Sequence, residues 1–503
     1  MKFKNLFSKA EWSWIMYDWA NSVYPTNIMA AIYPTIFASA VEGGDIRWGY
    51  ATSIATFIVA ILAPFLGSIA DYKGMKKNLF AVFAVIGIVF TPLMAFTGNW
   101  KLCLAGYVLS RIGFSGSCLF YDSFLTDVTT DERMDKVSSW GYAMGYIGGS
   151  TIPFIISIAM LLIFDYNRLS QTFSVLIVSL WWAVFTIPFL KNVKHEHYIE
   201  RPEHIQFKSV FANVVETFKS ICSHKGLLIF VIAYFFYIDG VDTIISISTA
   251  YGTTLGLGTT GMILALLVTQ IVAVPCSIWF AKLAEKHSAR KALTGAVAVY
   301  LIITLLGFYM GFSMEPSQTA YESIIDNSVV SIEVDNSLKD DFDAYIISAK
   351  SKLKNEDATA ALAEIGNIND TEAGILLTEQ VNTALIAAIS DNSAAVDAFN
   401  KAISFSTVLF WIMAVMVGTV QGGIQAVSRS YFGKLVPKEH SNEYYGFFDI
   451  FGKFASVVGP LIYSGLASIT GRSSYGVLGL SMLFLFGMAM LVFGRKQLDS
   501  LSE

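Results

Sequence analysis

Apolar runs of about 20 residues recur along almost the whole chain and are separated by short polar breaks. Because a membrane-spanning helix needs about 20 mostly apolar residues, each run predicts one spanning helix. The predicted spans, numbered 1 to 12 in chain order, cover residues 12–40, 48–70, 78–96, 101–121, 137–164, 171–190, 226–251, 257–283, 292–312, 402–428, 444–469 and 475–493. The pattern therefore predicts an all-α membrane protein that crosses the bilayer twelve times.

The composition supports a membrane protein and sets one segment apart. The 503 residues are 54% hydrophobic and 15% charged, which is too apolar for a soluble globular chain of this length. Residues 315–401 hold 16 acidic and 5 basic residues, a net charge of −11, whereas the rest of the chain carries +6. The helix-like apolar spacing of residues 340–354 and 371–389 predicts that this acidic insert forms a small helical subdomain.

The distribution of basic residues predicts the orientation. An even number of spans places both termini on one side, where 23 Lys and Arg residues fall, against nine on the other side, five of them in the insert. Arg111 and Lys453 lie within spans. The positive-inside rule therefore predicts cytoplasmic termini, an outer insert and, in a bacterium, location in the inner membrane.

A repeated motif indicates that the chain contains two homologous halves. Small, acidic, small and basic residues follow span 2 at Gly67, Asp71, Gly74 and Lys76, and a similar order follows span 8, with Glu285 and Arg290 in register. Duplicated transporters place the substrate site between their halves near the middle of the bilayer. The predicted organisation is a six-helix half at 1–190, a cytoplasmic linker at 191–225, spans 7–9 at 226–314, the insert at 315–401, and spans 10–12 with the tail at 402–503.

These motifs carry a family resemblance. The pattern from Gly67 through Asp71 and Gly74 to Lys76 resembles the loop motif of the major facilitator superfamily, and residues 14–22 and 421–437 resemble the branch of autophagy-related vacuolar amino-acid effluxers and their bacterial relatives. The resemblance implies alternating access by a rocker switch, a cavity lined by spans 1, 4, 7 and 10, and amino acids as substrates of the fungal members. Ser288 stands where the second copy of the loop motif would have a glycine, so that copy departs from the pattern.

Each of these four spans carries polar residues that are costly in lipid. An ionisable side chain near the bilayer centre normally faces the interior of a bundle, so such residues predict a pathway for substrate or protons. The predicted pathway residues are Asp18, Asn21 and Ser22 on one face of span 1, Arg111 in span 4, Asp239 and Asp242 in span 7, and Gln421 and Gln425 in span 10. The aspartates are candidate proton carriers, and Arg111 is the expected partner of a carboxylate.

Some of the pathway residues, and several other polar residues in or near the spans, have a structural explanation as an alternative. An Arg–Asp pair can simply hold helices together, and Asp449 and Lys453, spaced i and i+4, can neutralise each other. Asp18 and Asp122 lie near predicted helix ends, where a carboxylate can be hydrated. Tyr142 can face the cavity or merely accompany close helix packing at its neighbouring glycines.

The loop motifs predict conformational gating. A carboxylate at Asp71 can interact with a neighbouring helix N-terminus and with basic residues, which would latch one conformation. The alternative is a solvated loop aspartate. The predicted gating set is Gly67, Asp71, Gly74, Lys76, Glu285 and Arg290.

The predicted function is secondary active transport of a small solute by alternating access, with proton coupling and with amino acids implied by the resemblance. The alternative is a non-transporting receptor or scaffold that binds a protein partner through the insert. The sequence has no nucleotide-binding loop, metal-ligand spacing or nucleophile constellation, so we expect no enzymatic activity, no catalytic residue, no cofactor or metal, and no nucleic acid.

Overall fold

The computed structural model describes residues 6–41, 44–96, 99–164, 167–202, 206–353 and 358–499. Residues 1–5 and 500–503, which the predicted terminal segments include, lie outside this range, and within it the chain forms helices and no β-strand. The α-helices are α1 Lys9–Asn21, α2 Tyr33–Ala40, α3 Gly44–Ala70, α4 Met75–Phe96, α5 Trp100–Ser123, α6 Leu125–Val128, α7 Asp131–Met144, α8 Ile152–Ile163, α9 Arg168–Asn192, α10 Phe207–Ser223, α11 Lys225–Thr254, α12 Thr259–His287, α13 Ala289–Val329, α14 Lys339–Lys352, α15 Ala358–Ala363, α16 Glu372–Asp391, α17 Ser393–Leu435, α18 Ser441–Thr470, α19 Ser473–Phe493 and α20 Arg495–Asp499.

The predicted all-α membrane fold is confirmed, with one difference in how the spans are built. Twelve helices in the described ranges are long and apolar enough to cross a membrane. Eleven of them, some continuous across a short irregularity, correspond to spans 2 to 12, and the remaining one is α16 of the insert. Span 1 consists of α1, a π-helical segment at Pro25–Ala31 and α2, each too short to span alone.

Spans 1 and 5 are irregular where they touch. Span 5 consists of α7, a π-helical segment at Gly145–Thr151 and α8. A methyl group on Gly148 would overlap the Trp19 ring, and one on Gly149 would overlap Ser22. Pro25 has no amide hydrogen to continue the helical ladder, which accounts for the break in span 1. Small residues thus let the two backbones approach closely.

The two halves meet along several helix pairs. Helix α3 of the first half packs on α18 of the second, and α7 packs on α12 and α17. The duplicated loops also share a backbone feature, because Gly74 and Ser288 have φ angles of 76° and 86°. A positive φ favours glycine, so Ser288 shares this feature of the motif without its usual residue.

The insert is continuous with the spans that flank it. Helix α13 runs through residue 315 and α17 begins before residue 401, so both predicted boundaries fall inside continuous helices. The 41 residues of α13 measure about 62 Å, roughly twice the hydrocarbon core, so its end projects beyond the membrane. The predicted helices at 340–354 and 371–389 correspond to α14 and α16, and residue 354 lies outside the described residues.

The described parts of the linker between the halves, residues 191–202 and 206–225, are structured. Residue Ile199 donates its amide hydrogen to the carbonyl oxygen of Asp71, and Lys73 donates its amide hydrogen to the carbonyl oxygen of Ile199, both at 2.9 Å. Helix α10, which the sequence analysis did not predict, packs on α3 and α18. The linker therefore lies against the loop that carries the first gating motif.

Candidate functional site

The two halves are closed against each other at one end of the bundle. This end includes the loop at 71–74, the turn at 124–130 and the 3₁₀ turn Lys438–His440 before α18. It is the end that the excess of Lys and Arg predicts to be cytoplasmic, and we call it the basic end. Three groups of contacts close it: a cluster around Arg429, a cluster around Asp71, and polar contacts between α7 and the end of α17.

Arg429 on α17 joins the second half to three helices of the first. Its guanidinium nitrogens lie 3.2 Å from Asp18 Oδ2 and 2.9 Å from Asp122 Oδ1, and Nε donates to Ser138 Oγ at 3.0 Å. The side chain is buried and lies against the Trp14 ring. Asp18 is therefore paired inside the bundle and is not a hydrated residue at a helix end.

A polar cavity of about 800 Å³ lies between the halves beside this cluster. Both halves contribute to its wall, the first through α5 and α7 and the second through α11, α17 and α18. Its polar lining includes Asp122, Tyr142, Asp242, Gln425, Arg429, Asp449 and Lys453. The cavity thus offers carboxylates and cations together, a combination that suits a small solute bearing both charges.

The Asp449–Lys453 pair and Tyr142, for which the sequence left a structural alternative open, both line this cavity. Lys453 is hydrogen-bonded to Asp449, as the i and i+4 spacing predicts, and both residues also line the cavity wall. Tyr142 lines the cavity as well, while the neighbouring Gly141 packs against Asp18. In both cases the packing role and the cavity position occur together.

Asp239 lies on α11, three residues before Asp242, but outside this cavity lining. Its Oδ1 accepts a hydrogen bond from the Gly459 amide at 2.9 Å, while its Oδ2 has no hydrogen-bond partner in the described structure. The side chain is fully buried. A buried carboxyl group is costly when it is charged, and no cationic partner of Asp239 is found among the described residues.

The other predicted pathway residues lie elsewhere. Asn21 contacts Cys118, and Ser22 packs at the glycine contact with span 5. Gln421 faces a second, mainly apolar cavity of about 900 Å³ inside the second half.

Arg111 does not pair with a carboxylate among the residues described, contrary to the expectation for span 4. Its guanidinium donates to Tyr107 Oη at 2.9 Å and Thr56 Oγ1 at 3.3 Å. It precedes Asp122 by eleven residues on the same helix, a separation of about 16 Å along the axis. The residue that pairs with the aspartates is Arg429 and not Arg111.

The sequence analysis did not select Arg429, Asp122, Asp449, Lys453 or Tyr142 as pathway residues. A usable signal existed for Arg429, because it continues the i, i+4 series from Gln421 and Gln425 along one face of α17. The predicted span 10 ends at residue 428, so Arg429 lies one residue outside it. Asp122 lies just beyond the predicted end of span 4 in the same way.

Asp71 is buried at the interface of the halves, so the alternative of a solvated loop aspartate is wrong. Its Oδ1 accepts hydrogen bonds from the Asn442 amide at 2.9 Å and from Asn442 Nδ2 at 2.8 Å, and its Oδ2 accepts from the Glu443 amide at 3.2 Å. These amides belong to the first turn of α18, where a helix favours negative charge. Burial raises the pKa of Asp71 to about 7, against the opposing effects of Asn442 and Lys76.

Lys76 and Gly67 support the same contact. Lys76 Nζ lies 2.6 Å from Asp127 Oδ2 and 3.4 Å from Ser441 Oγ, with both charged side chains buried. A methyl group on Gly67 would overlap the backbone carbonyl of Asn442, so glycine allows α3 and α18 to meet.

The second copy of the loop motif makes different contacts. Arg290 forms two hydrogen bonds with Asp499, at 2.7 and 2.9 Å, and so holds the tail helix α20 against its own half. Glu285 is exposed. The hydrogen bonds described for Arg290 therefore stay within its own half, whereas the charge of Glu285 acts on Arg133 of the first half.

Comparison with known proteins agrees with this architecture. The sequence model of the family "Vacuole effluxer Atg22 like" matches residues 48–130, 126–320 and 399–497. The chain is 37% identical over 502 residues to the uncharacterized MFS-type transporter YxiO of Bacillus subtilis, covering 97% of this chain and 95% of that protein. It is 20% identical to autophagy-related protein 22-2 of Aspergillus clavatus over 88% of this chain and 72% of that one. The major facilitator transporter FucP in its outward conformation shares the fold, with a TM-score of 0.54 and 12% identity over 96% of this chain and 98% of that one.

Proposed function

Because the chain belongs to the Atg22-like vacuole effluxer family of major facilitator transporters, we propose that it moves a small zwitterionic solute of the amino-acid class by proton-coupled alternating access. The observation that carries this proposal is the polar cavity between the halves, in which carboxylates and cations share one wall. A solute with an ammonium and a carboxylate group would find a counter-charge for each.

The basic end is closed by contacts that can break and reform. Opening it requires Arg429 to leave Asp18 and Asp122, and the first turn of α18 to leave Asp71. A solute carboxylate that reaches Arg429 would compete with these aspartates for the same guanidinium. In our proposal the basic end is cytoplasmic, and substrate binding weakens the cluster that keeps it closed.

Asp239 is the proposed proton carrier. It is buried, lies next to the cavity residue Asp242 on α11, and has one carboxyl oxygen without a hydrogen-bond partner in the described part of the chain. A proton held there can respond to rearrangement of α11 and α18 without competing with the solute for its counter-charges. Coupling and solute binding are thereby assigned to different carboxylates.

Proteoliposomes test both assignments. Purified protein would be reconstituted with an internal pH-sensitive dye and challenged with an amino-acid panel under an imposed pH gradient. Asp242→Asn is expected to weaken solute binding at least tenfold because it removes one counter-charge. Asp239→Asn preserves size and the hydrogen bond to Gly459, so we expect solute exchange to persist while pH-driven accumulation is lost.

Two results would contradict the proposal. Unchanged pH-driven accumulation in Asp239→Asn would remove Asp239 from the coupling step. Absence of flux for every amino acid, in protein that elutes as a single folded species, would remove the proposed substrate class. The receptor alternative is not favoured, because a receptor that works through its insert has no use for charges between the halves.

A further inference from the structure

Three potential metal ligands converge at the basic end, outside the transport cavity. A carboxylate oxygen from Asp71, another from Glu443 and a ring nitrogen of His440 all lie within 4.8 Å of one another. Asp71 belongs to the loop after α3 of the first half, whereas His440 and Glu443 belong to the start of α18 in the second. We call these three residues the gate triad.

The carboxylates of the gate triad are only partly neutralised, because Asp71 accepts three hydrogen bonds from Asn442 and Glu443, and His440 lies beside Glu443. Glu443 is 2% exposed, and its Oε1 has no hydrogen-bond partner among the described residues. Its Oε2 lies 3.9 Å from His440 Nδ1. Lys76, the nearby lysine, is bound to Asp127 at 2.6 Å. A buried carboxylate oxygen without a partner, beside a second buried carboxyl group, is costly, and a cation at this position would remove that cost.

We propose that the gate triad binds a divalent transition-metal ion of the Zn²⁺ type, which bridges the two halves and holds the basic end closed. One imidazole and two carboxylates, with water at a fourth position, form a ligand set that Zn²⁺ accepts. Metal–ligand distances of about 2.0–2.2 Å place tetrahedral ligand atoms roughly 3.4 Å apart. The half-exposed His440 can close the remaining gap by rotating, and it also gives the ion access from water.

In this proposal, bound metal holds the basic end in its closed conformation. The ion would contact Asp71 from one half and His440 and Glu443 from the other, so it can bind fully only when the basic end is closed. A ligand that binds one of two conformations shifts the population towards that conformation. Metal on the basic side would therefore slow opening at that end, whatever solute the cavity accepts.

Metal binding can be measured directly, without any transport assay. The full-length protein, purified without a polyhistidine tag, would compete for Zn²⁺ with a chromophoric chelator, and Co²⁺ absorption would report the ligand geometry. We expect one Zn²⁺ per chain. His440→Ala and Glu443→Gln are expected to weaken Zn²⁺ binding at least tenfold, because each removes a ligand. Glu439→Gln, which changes an exposed neighbouring acid, is the matched control and should bind as the wild type does.

The bridging role has its own readout. Spin labels at Glu132 and Lys286, both exposed at the basic end of opposite halves, would be placed in protein whose four native cysteines are replaced by alanine. Zn²⁺ should shift the distance distribution towards its short component in this protein and leave it unchanged when His440→Ala is added.

Either of two outcomes overturns the proposal. Equal Zn²⁺ affinity in the wild type, His440→Ala and Glu443→Gln would show that the gate triad is not the site. Zn²⁺ bound at the triad with an unchanged spin-label distance would show that the ion does not bridge the halves. Neither outcome bears on the proposed transport function, since both measurements are made without solute.

Discussion

A single guanidinium group ties four helices together at the basic end. Arg429 reaches Asp18 on α1, Asp122 on α5 and Ser138 on α7 from its place on α17. A buried charge cluster of this kind is stable only while all its members are present, because each carboxylate depends on the same cation. Arg429 is therefore a structural tie and, in the proposed mechanism, the cation for which a solute carboxylate would compete with Asp18 and Asp122.

Replacing Arg429 should therefore have two separable effects. Arg429→Ala leaves Asp18 and Asp122 buried without a cation, which we expect to destabilise the closed form by about 3–5 kcal/mol. Arg429→Lys keeps the charge but loses the forked geometry, so stability should fall less while transport still drops at least tenfold. Thermal unfolding in detergent and flux in proteoliposomes measure the two effects.

Arg111→Ala is the matched control for these variants. Arg111 also lies in a span, but its described partners are the hydroxyl groups of Tyr107 and Thr56. We expect its loss to change transport less than Arg429→Ala does. A larger loss of transport in Arg111→Ala would return Arg111 to the pathway role that the sequence predicts.

The residue types needed for the site could be predicted, but their meeting points could not. Buried charges are expensive in lipid, so Asp18, Asp239 and Asp242 were selected for a physical reason. Which helices meet depends on tertiary packing, which periodicity does not encode. Arg111 and Arg429 are therefore equivalent by composition, and only the structure places one of them beside the aspartates.

At the scale of elements, the first loop motif acts through close packing of α3 on α18. Gly67 meets the backbone of Asn442, and Asp71 accepts hydrogen bonds from the first turn of α18. The contact is made of backbone and buried groups, so it has little freedom to adjust. A rigid contact of this kind suits the gating role that we propose for it.

A methyl group at Gly67 should open this contact. Gly67→Ala would place Cβ against the Asn442 carbonyl, so we expect a lower melting temperature and more rapid hydrogen exchange in the first turn of α18. Gly465→Ala on α18 is the control, since a Cβ at Gly465 meets nothing within 4 Å. Alanine normally stabilises a helix relative to glycine. Equal melting temperatures for the two variants would contradict the role given to Gly67.

The linker adds a pH-dependent contact to the gate. His197 Nδ1 lies 3.4 Å from Asp127 Oδ1, and this interaction raises the pKa of His197, with Lys438 opposing and Glu439 assisting. The neighbouring His195 is neutral, since burial lowers its pKa to about 4. A raised histidine pKa contributes stability that is fully present below pH 6.5 and is lost as pH rises through the raised pKa.

We therefore expect the linker to loosen as pH rises above 7. Hydrogen exchange of residues 193–202 would be compared at each pH between the wild type and His197→Ala, which cancels the intrinsic pH dependence of exchange. The wild type should be better protected at pH 6, and the two proteins should converge by about pH 9. Constant protection relative to His197→Ala across this range would remove His197 as the titrating group.

At the scale of the whole molecule, the predictions of a duplicated chain and of its orientation rest on patterns that extend along the chain. Hydropathy predicts twelve spans because lipid imposes a similar length on each, and eleven of them correspond to helical stretches long and apolar enough to cross a membrane. It could not show that span 1 breaks at Pro25 or that α13 and α17 continue beyond the membrane. The break follows from Pro25 itself, which hydropathy does not register. The extension of α13 and α17 is supported by contacts between them, such as Tyr321 stacked on Phe399 with ring centroids 4.6 Å apart.

These extended helices allow a decisive test of the insert. Since Tyr321 and Phe399 are in contact, residues 326–394 can be replaced by a short Gly-Ser linker without stretching either stem. This removes α14, α15 and α16 and much of the insert's charge of −11 while leaving the spans and the polar cavity in place. We expect flux in proteoliposomes to stay within about twofold of the wild type. The control is Asp242→Asn in the same shortened protein, in which solute binding should be weakened as in the full-length variant. If solute moves only when the insert is present, the insert takes part in solute capture, and the cavity between the halves is not sufficient for transport.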